Sequence, residues 1–248
     1  MGLNGKRAIV TGAAQGLGFA IASELAASGC AVALVDVNRD KCAEAAASLG
    51  KSGRTVHAIA GDVSTRAGCA DMMAKAETRL GGLDILVNNA GILHVSSILD
   101  TTEEEWDRVM AVNLKGVFFC CQAAIPLLKL SRSPRIINIS SLAGRMGGYS
   151  TGLAYSASKG GVIAMTMGMA RQLAPDRITV NCVCPGTAET DIIKAWTPDA
   201  VEALKAKIPL GRLGKGSDVA AAVAFFASDA AEFITGVSLD VNGGMYTG

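Results

Sequence analysis

Neither sign of charge is in excess in this sequence: 23 Lys and Arg stand against 22 Asp and Glu in 248 residues. It has no basic stripe and no acidic tail, so nucleic acid is not expected among its partners. Long hydrophobic runs are also missing. Stretches such as AAAVAFFA at 220–227 are far too short to cross a bilayer. The opening MGLNGKRAIVTG lacks the apolar run of a signal peptide. No membrane association is expected, and the expected location is cytoplasmic. Metal-ligand spacing is absent as well. The seven cysteines (30, 42, 69, 120, 121, 182 and 184) form no C-x-x-C and have no histidine at zinc spacing. No metal site is expected, and the thiols read as small buried side chains. Cys182 and Cys184 alternate in ITVNCVCPG, as neighbours on one face of a strand do. No linker, repeat or low-complexity tract interrupts the chain, so residues 1–248 read as a single domain.

What is present is an alternation of short β-branched runs with longer helical ones. The strand candidates are RAIVT (7–11), AVALVD (31–36), TVHAIA (55–60), DILVNN (84–89), RIINIS (135–140), ITVNCV (178–183) and VSLDV (237–241). Helix-length segments start near Leu17, Asp40, Arg66, Thr102, Tyr155 and Ser217. Strands separated by helices build βαβ units. Runs this apolar are suited to a sheet covered on both faces. The expected fold is a doubly wound, Rossmann-type α/β domain: a parallel sheet of about seven strands with helices on both faces. Residues 1–140 would form a cofactor half, and 141–248 the half carrying catalysis, a substrate lid and oligomerisation.

In such a sheet ligands bind beyond the carboxyl ends of the strands, and the distinctive residues lie there. TGAAQGLG follows the first strand, with Gly12, Gln15, Gly16, Leu17 and Gly18 opening a helix. Glycines admit a phosphate close to backbone amides, and a helix N-terminus adds partial positive charge. Asp36 ends the second strand, where a carboxylate accepts bonds from adenosine ribose hydroxyls and repels a 2′-phosphate. NAD is therefore expected in preference to NADP, although Arg39 and Lys41 follow closely and could compensate. Asp62 and Val63 end the third strand, a polar and an apolar group able to flank adenine. N-N-A-G ends the fourth, bringing Asn89, Ala90 and Gly91 beside the cofactor. In AYSASKGG, Tyr155 and Lys159 stand four apart and share one helical face.

T-G-x-x-x-G-x-G, N-N-A-G, Y-x-x-x-K and P-G-x-x-x-T, in this order over nearly the whole chain, resemble the classical short-chain dehydrogenase/reductase family. The resemblance implies a catalytic tetrad at Asn113 in AVNLKG, Ser141 in NISSLAG, Tyr155 and Lys159. Ser140 competes with Ser141, and the family pattern S-x-x-G, completed by Gly144, selects Ser141. The interval to Tyr155 is one residue longer than is usual in the family, the slack falling in RMGGYST, which leaves the shape of the substrate pocket open. Tyr155 would exchange a proton with the substrate oxygen, helped by the Lys159 ammonium, which favours the phenolate. Lys159 would also bond the nicotinamide ribose, Ser141 would bond the substrate oxygen, and Asn113 would position a water leading to Lys159. Pro185, Gly186, Ala188 and Thr190 would contact the nicotinamide carboxamide. Residues 191–207 would form the lid, with Trp196 as an apolar wall or a packing residue. A homotetramer is implied too.

Leu93, His94, Val95, Leu142, Arg145, Met146, Tyr149 and Trp196 occupy segments able to line the substrate pocket. That wall is mainly apolar and suits a secondary alcohol or ketone. His94 reads as an exposed loop histidine rather than a substrate contact, and Arg145 as a surface or subunit contact rather than an anion ligand. The expected activity is NAD-dependent hydride transfer between the cofactor and a secondary alcohol or ketone, with Tyr155 as general acid and base. A 3-oxoacyl-[acyl-carrier-protein] reductase is the alternative; such enzymes normally prefer NADPH, against which Asp36 argues. A nucleotide-sensing regulator without catalysis is a third reading.

Overall fold

Strands β1 (Arg7–Thr11), β2 (Ala31–Asp36), β3 (Val56–Ala60), β4 (Ile85–Asn88), β5 (Arg135–Ile139), β6 (Thr179–Pro185) and β7 (Ser238–Val241) all pair in parallel, in the order β3-β2-β1-β4-β5-β6-β7. The structure is a computed structural model and describes residues 2–51, 53–148, 151–188 and 197–248. β4, β5 and β6 are buried at every position, as strands covered on both faces must be.

Period-two alternation divides the strands between two cores. Val10, Leu34, Val87 and Ile137 face one side, against α1 (Gly16–Ala27), α2 (Arg39–Gly50) and α9 (Gly216–Ala227). Ile9, Ala33, Leu86 and Ile136 face the other, against α3 (Arg66–Leu80), α5 (Gly116–Leu128) and α7 (Leu153–Leu173). Each fully buried Leu or Ile contributes about 1.5–3 kcal/mol. β1 lies between β2 and β4, so successive connections leave β1 in opposite directions, and a crevice opens at this reversal.

Helix ends follow local chemistry. Asn38 caps α2 by accepting from Lys41 N, and Thr65 caps α3 by accepting from Gly68 N. Thr102 and Glu105 form a reciprocal capping box for α4 (Glu103–Met110). Three details differ from the sequence expectations. The helix expected from Tyr155 begins at Leu153, which puts Tyr155 in its first turn. The helix expected near Thr102 is interrupted by a π-helical turn at Ala111–Lys115 before α5. Two short helices, α6 (Leu142–Met146) and α8 (Pro198–Lys205), went unread because neither is long enough to display a period.

The helical run Glu103–Leu128 has the length and apolar composition of a membrane span. Its Val117, Cys120, Cys121, Ala124 and Leu128 are nevertheless packed in the core beneath the sheet. All seven cysteines are buried and free, and burial pushes the Cys30 and Cys121 thiols up to about 12. Cys182 and Cys184 do lie side by side on β6, with Sγ atoms 4.0 Å apart.

Candidate active site

The turn after β1 is closed by its glycines. Gly12 holds φ 63°, and a Cβ there would sit 2.8 Å from Ala90 Cα. A Cβ on Gly18 would collide with the Gly12 carbonyl oxygen, so α1 must begin with a bare backbone against the turn. Asn89 joins this turn to the end of β4: its Nδ2 donates to Thr11 O at 2.9 Å and Gly12 O at 3.1 Å. Thr11 Oγ1 in return accepts from Asn89 N and Ala90 N, each at 3.0 Å. Asp36 fixes the other flank, its carboxylate accepting from Ala14 N at 3.1 Å and Asn38 N at 3.0 Å. Lys41 Nζ donates to Gln15 Oε1 at 3.2 Å.

Helix α1 differs from α2, α3 and α4 in that its N-cap Gln15 makes no side-chain cap; like α3, it also has no acidic residue in its first turn. The first amides of α1 therefore carry donors and partial positive charge at the crevice with no side chain to satisfy them. That is what a dinucleotide's pyrophosphate requires, and the residues present fit one.

The catalytic candidates lie around the ends of β4 and β5. Asn113 is fully buried in the π-helical turn. Its Oδ1 accepts from Ile92 N at 2.8 Å, and its Nδ2 donates to Ile92 O at 2.9 Å and Ser158 Oγ at 3.2 Å. It thus holds the chain after N-N-A-G against α7. Lys159 is only 4% exposed; its Nζ donates to Ile139 O at 2.8 Å and lies 5.8 Å from the centre of the Tyr155 ring. The two heads do share one face of α7, as their spacing predicts.

The neighbouring serines separate cleanly. Ser140 Oγ donates to Lys159 O at 2.8 Å and is thereby committed to the main chain of α7. Ser141 caps α6, its Oγ accepting from Ala143 N at 3.1 Å, which leaves the hydroxyl proton to be donated elsewhere.

One cleft of ≈ 1370 Å³ gathers most of the expected residues. Gly12, Gln15, Gly16, Leu17 and Gly18 form its floor, with Asp36, Asp62 and Val63 on one wall. Asn89, Ala90 and Gly91 lie beside Tyr155 and Lys159 at the other end. Neither the buried Asn113 nor the partly exposed Ser141 is among the residues that line this cleft, whereas Ser140 is. Pro185, Gly186 and Ala188 line a second cavity of ≈ 570 Å³ instead. Thr190, Trp196 and Tyr149 lie outside the described residues.

Two substrate-pocket candidates have other partners. His94 Nε2 faces Glu105 Oε1 at 3.0 Å, so the loop histidine is tied to the capping box of α4. Arg145, expected as a surface or subunit contact, points to β7, where it pairs with Asp240 at 3.1 Å. Ile139, Ile92 and Ser158 were not singled out in the sequence. The first two act through main-chain atoms, which carry no residue signature, and Ser158 is one hydroxyl among several in AYSASKGG.

A family model described as enoyl-(acyl carrier protein) reductase matches residues 12–246. The chain is 43% identical over 243 residues to the 3-oxoacyl-[acyl-carrier-protein] reductase of Staphylococcus aureus, covering 97% of this chain and 98% of that one. It is 40% identical over 247 residues to the protein of the same name from Escherichia coli, covering 99% of each. Among solved structures, a putative short-chain alcohol dehydrogenase from Sinorhizobium meliloti superposes with a TM-score of 0.92 at 39% identity, covering 98% of this chain and 97% of that one. A short-chain dehydrogenase/reductase, glucose/ribitol dehydrogenase, from Brucella melitensis does so with a TM-score of 0.92 at 36% identity, covering 99% and 98%.

Proposed function

The chain belongs to the short-chain dehydrogenase/reductase family, and on that premise we propose that it reduces a 3-oxoacyl thioester, carried on an acyl carrier protein, to the 3-hydroxy form. One observation carries the chemistry: the Tyr155 phenol and the buried Lys159 ammonium stand together in the cleft that the glycine turn floors. The substrate class is supported by the 43% identity over 97% of the chain with 3-oxoacyl-[acyl-carrier-protein] reductase.

A nicotinamide dinucleotide would lie along the cleft and supply the hydride. The uncapped amides of α1 would hold its pyrophosphate, Asp36 a ribose, and Asp62 with Val63 the adenine. Lys159 would hold the second ribose. Pro185, Gly186, Ala188 and Thr190 are the proposed carboxamide contacts. At the substrate, Ser141 Oγ donates a hydrogen bond to the carbonyl oxygen as negative charge grows on it. Tyr155 then gives that oxygen a proton, and the phenolate left behind is stabilised by the ammonium of Lys159. Asn113 keeps the loop after β4 and the helix α7 in mutual register, so that Tyr155 and Lys159 stay facing the cleft.

The cofactor preference proposed is NADH. The Asp36 carboxylate would repel a 2′-phosphate, and against it stands the Lys41 ammonium, which donates to Gln15 Oε1 at the glycine turn. The same carboxylate favours a second reading, an NAD-dependent secondary-alcohol dehydrogenase. Reduction of a 3-oxoacyl thioester with NADH and with NADPH, beside oxidation of a secondary-alcohol panel with NAD, separates them. Thioester reduction at least tenfold faster than any alcohol oxidation supports the first reading. Turnover confined to alcohols overturns it, and a clear preference for NADPH overturns the cofactor assignment. A homotetramer in the cytoplasm completes the proposal, supported by half-exposed Trp106, Phe118 and Met167 along α4, α5 and α7; light scattering on the purified chain reads the assembly directly.

A further inference from the structure

Helix α6 is five residues long and is capped at its N-terminus by Ser141, the proposed ligand of the substrate oxygen. A helix this short has little stability of its own, so its orientation must come from tertiary contacts. Chain continuity gives little help, because α6 runs out into two successive left-handed glycines, Gly147 at φ 84° and Gly148 at φ 71°. One side of α6 is fixed by close packing: a Cβ on Gly144 would lie 2.7 Å from the Lys159 carbonyl carbon.

The other side is fixed by Arg145. Its Nε donates to Asp240 Oδ1 at 3.2 Å and its Nη2 to Asp240 Oδ2 at 3.1 Å, a two-pronged fork. The same Nη2 donates to Ser238 O at 2.7 Å. The guanidinium also lies over the ring of Tyr246, 5.6 Å from its centre. The Arg145 and Asp240 side chains are 20% and 18% exposed, so solvent screens this pair far less than an open surface bridge. Asp240 is no loop residue: it sits in β7, in register with Cys184 of β6.

We propose that Arg145 is a positioning residue, which ties α6, and with it the Ser141 hydroxyl, to the edge strand β7 and the C-terminal tail. The inference rests on the reading of Ser141 as the group that bonds the substrate oxygen. Loss of the fork leaves α6 packed against α7 at Gly144, its middle residue, so the helix pivots there and both of its ends swing. Ser141 then moves relative to Tyr155, whereas the glycine turn and Asp36, on the far side of the sheet's reversal, do not.

The test compares Ser141→Ala, Arg145→Met, Arg145→Lys, Asp240→Asn and the double variant Arg145→Met/Asp240→Asn. Each is assayed for kcat and KM in carbonyl reduction, for dinucleotide affinity by titration calorimetry, and for Tm. Arg145→Met and Asp240→Asn are each expected to lower kcat roughly tenfold, a displacement-sized effect, with dinucleotide affinity unchanged. The double variant should be no slower than the slower single, because both act through one contact. Arg145→Lys, which keeps the charge and one prong, should recover part of the loss. Parental kcat in Arg145→Met overturns the proposal, as does a fall in dinucleotide affinity matching the fall in kcat. Parental turnover in Ser141→Ala removes the underlying reading and the clamp with it. An inactive Ser141→Ala beside a fully active Arg145→Met removes the clamp alone.

Discussion

Tyr155 and Lys159 were legible in the sequence because helical spacing turns a four-residue interval into a shared face, and that relation needs no knowledge of the rest of the fold. The acceptor that fixes Lys159 was not legible, since the Ile139 carbonyl exists in every residue type. The partner of Arg145 was not legible for a related reason: Asp240 is remote in sequence, and only the fold brings the two side chains together. Ser140 and Ser141 show the middle case. A family pattern chose between them; in the structure Ser140 lines the cleft and donates to Lys159 O, while Ser141 caps α6. The phenol itself gives the residue-scale prediction. Tyr155→Phe removes only the oxygen that exchanges a proton and leaves the ring packed, so turnover should fall by about 10²–10⁴, the usual worth of a positioned general acid. Dinucleotide affinity measured by calorimetry should stay within about twofold of the parent, because the glycine turn and Asp36 are untouched. Turnover equal to the parent's would reject the proton-transfer role.

Elements carry information that single residues do not. Asn38, Thr65 and Thr102 cap α2, α3 and α4, each side chain accepting from a first-turn amide. The missing cap on α1 says more, because a helix end at a crevice without a capping side chain is incomplete until an anion arrives. The π-helical turn at Ala111–Lys115 escaped the sequence, since one extra residue in a helix leaves no mark on composition. It nevertheless determines where Asn113 points. The uncapped end of α1 is open to a direct test. Gln15 has φ −159° and ψ 175°, the extended backbone that a capping residue adopts. Gln15→Asp should therefore cap α1 and stabilise the chain by about 1 kcal/mol, raising Tm by about 2–4 °C. The same carboxylate occupies the amides proposed for the pyrophosphate and repels it, so dinucleotide affinity should fall by roughly tenfold or more. A rise in Tm with unchanged affinity would place the pyrophosphate elsewhere.

The alternation of strands and helices made the whole architecture readable, because a parallel sheet covered on both faces forces continuous apolar strands and intervening helices. What it could not reveal is how the opposite end of the sheet is held, away from the cleft. There Asp84, just before β4, accepts from Arg7 Nε at 2.8 Å, Arg7 Nη2 at 3.0 Å and Arg7 N at 2.9 Å. Ser131, on the approach to β5, adds a bond at 2.5 Å, so a single carboxylate joins the entrances of β1, β4 and β5. Burial acts to raise the Asp84 carboxyl, but the hydrogen bonds from Arg7 and Ser131 outweigh it and hold the group below the ordinary aspartate range. The ionised form is thus bound more strongly in the folded chain than in the unfolded one. Its stabilisation is fully present above the unfolded value near ~4 and is lost as pH falls through the lower folded value. Asp84→Asn keeps the shape but removes the charge, leaving the Arg7 guanidinium without its counter-ion. Because Arg7 is partly exposed, the expected cost is about 2 kcal/mol at pH 7, below that of a fully buried pair. Urea unfolding of parent and variant at pH 7 and pH 3 checks both halves. The gap should be wide at pH 7 and narrower at pH 3, where the parent begins to lose the same charge; a gap that is constant with pH would mean that the carboxylate acts through packing alone.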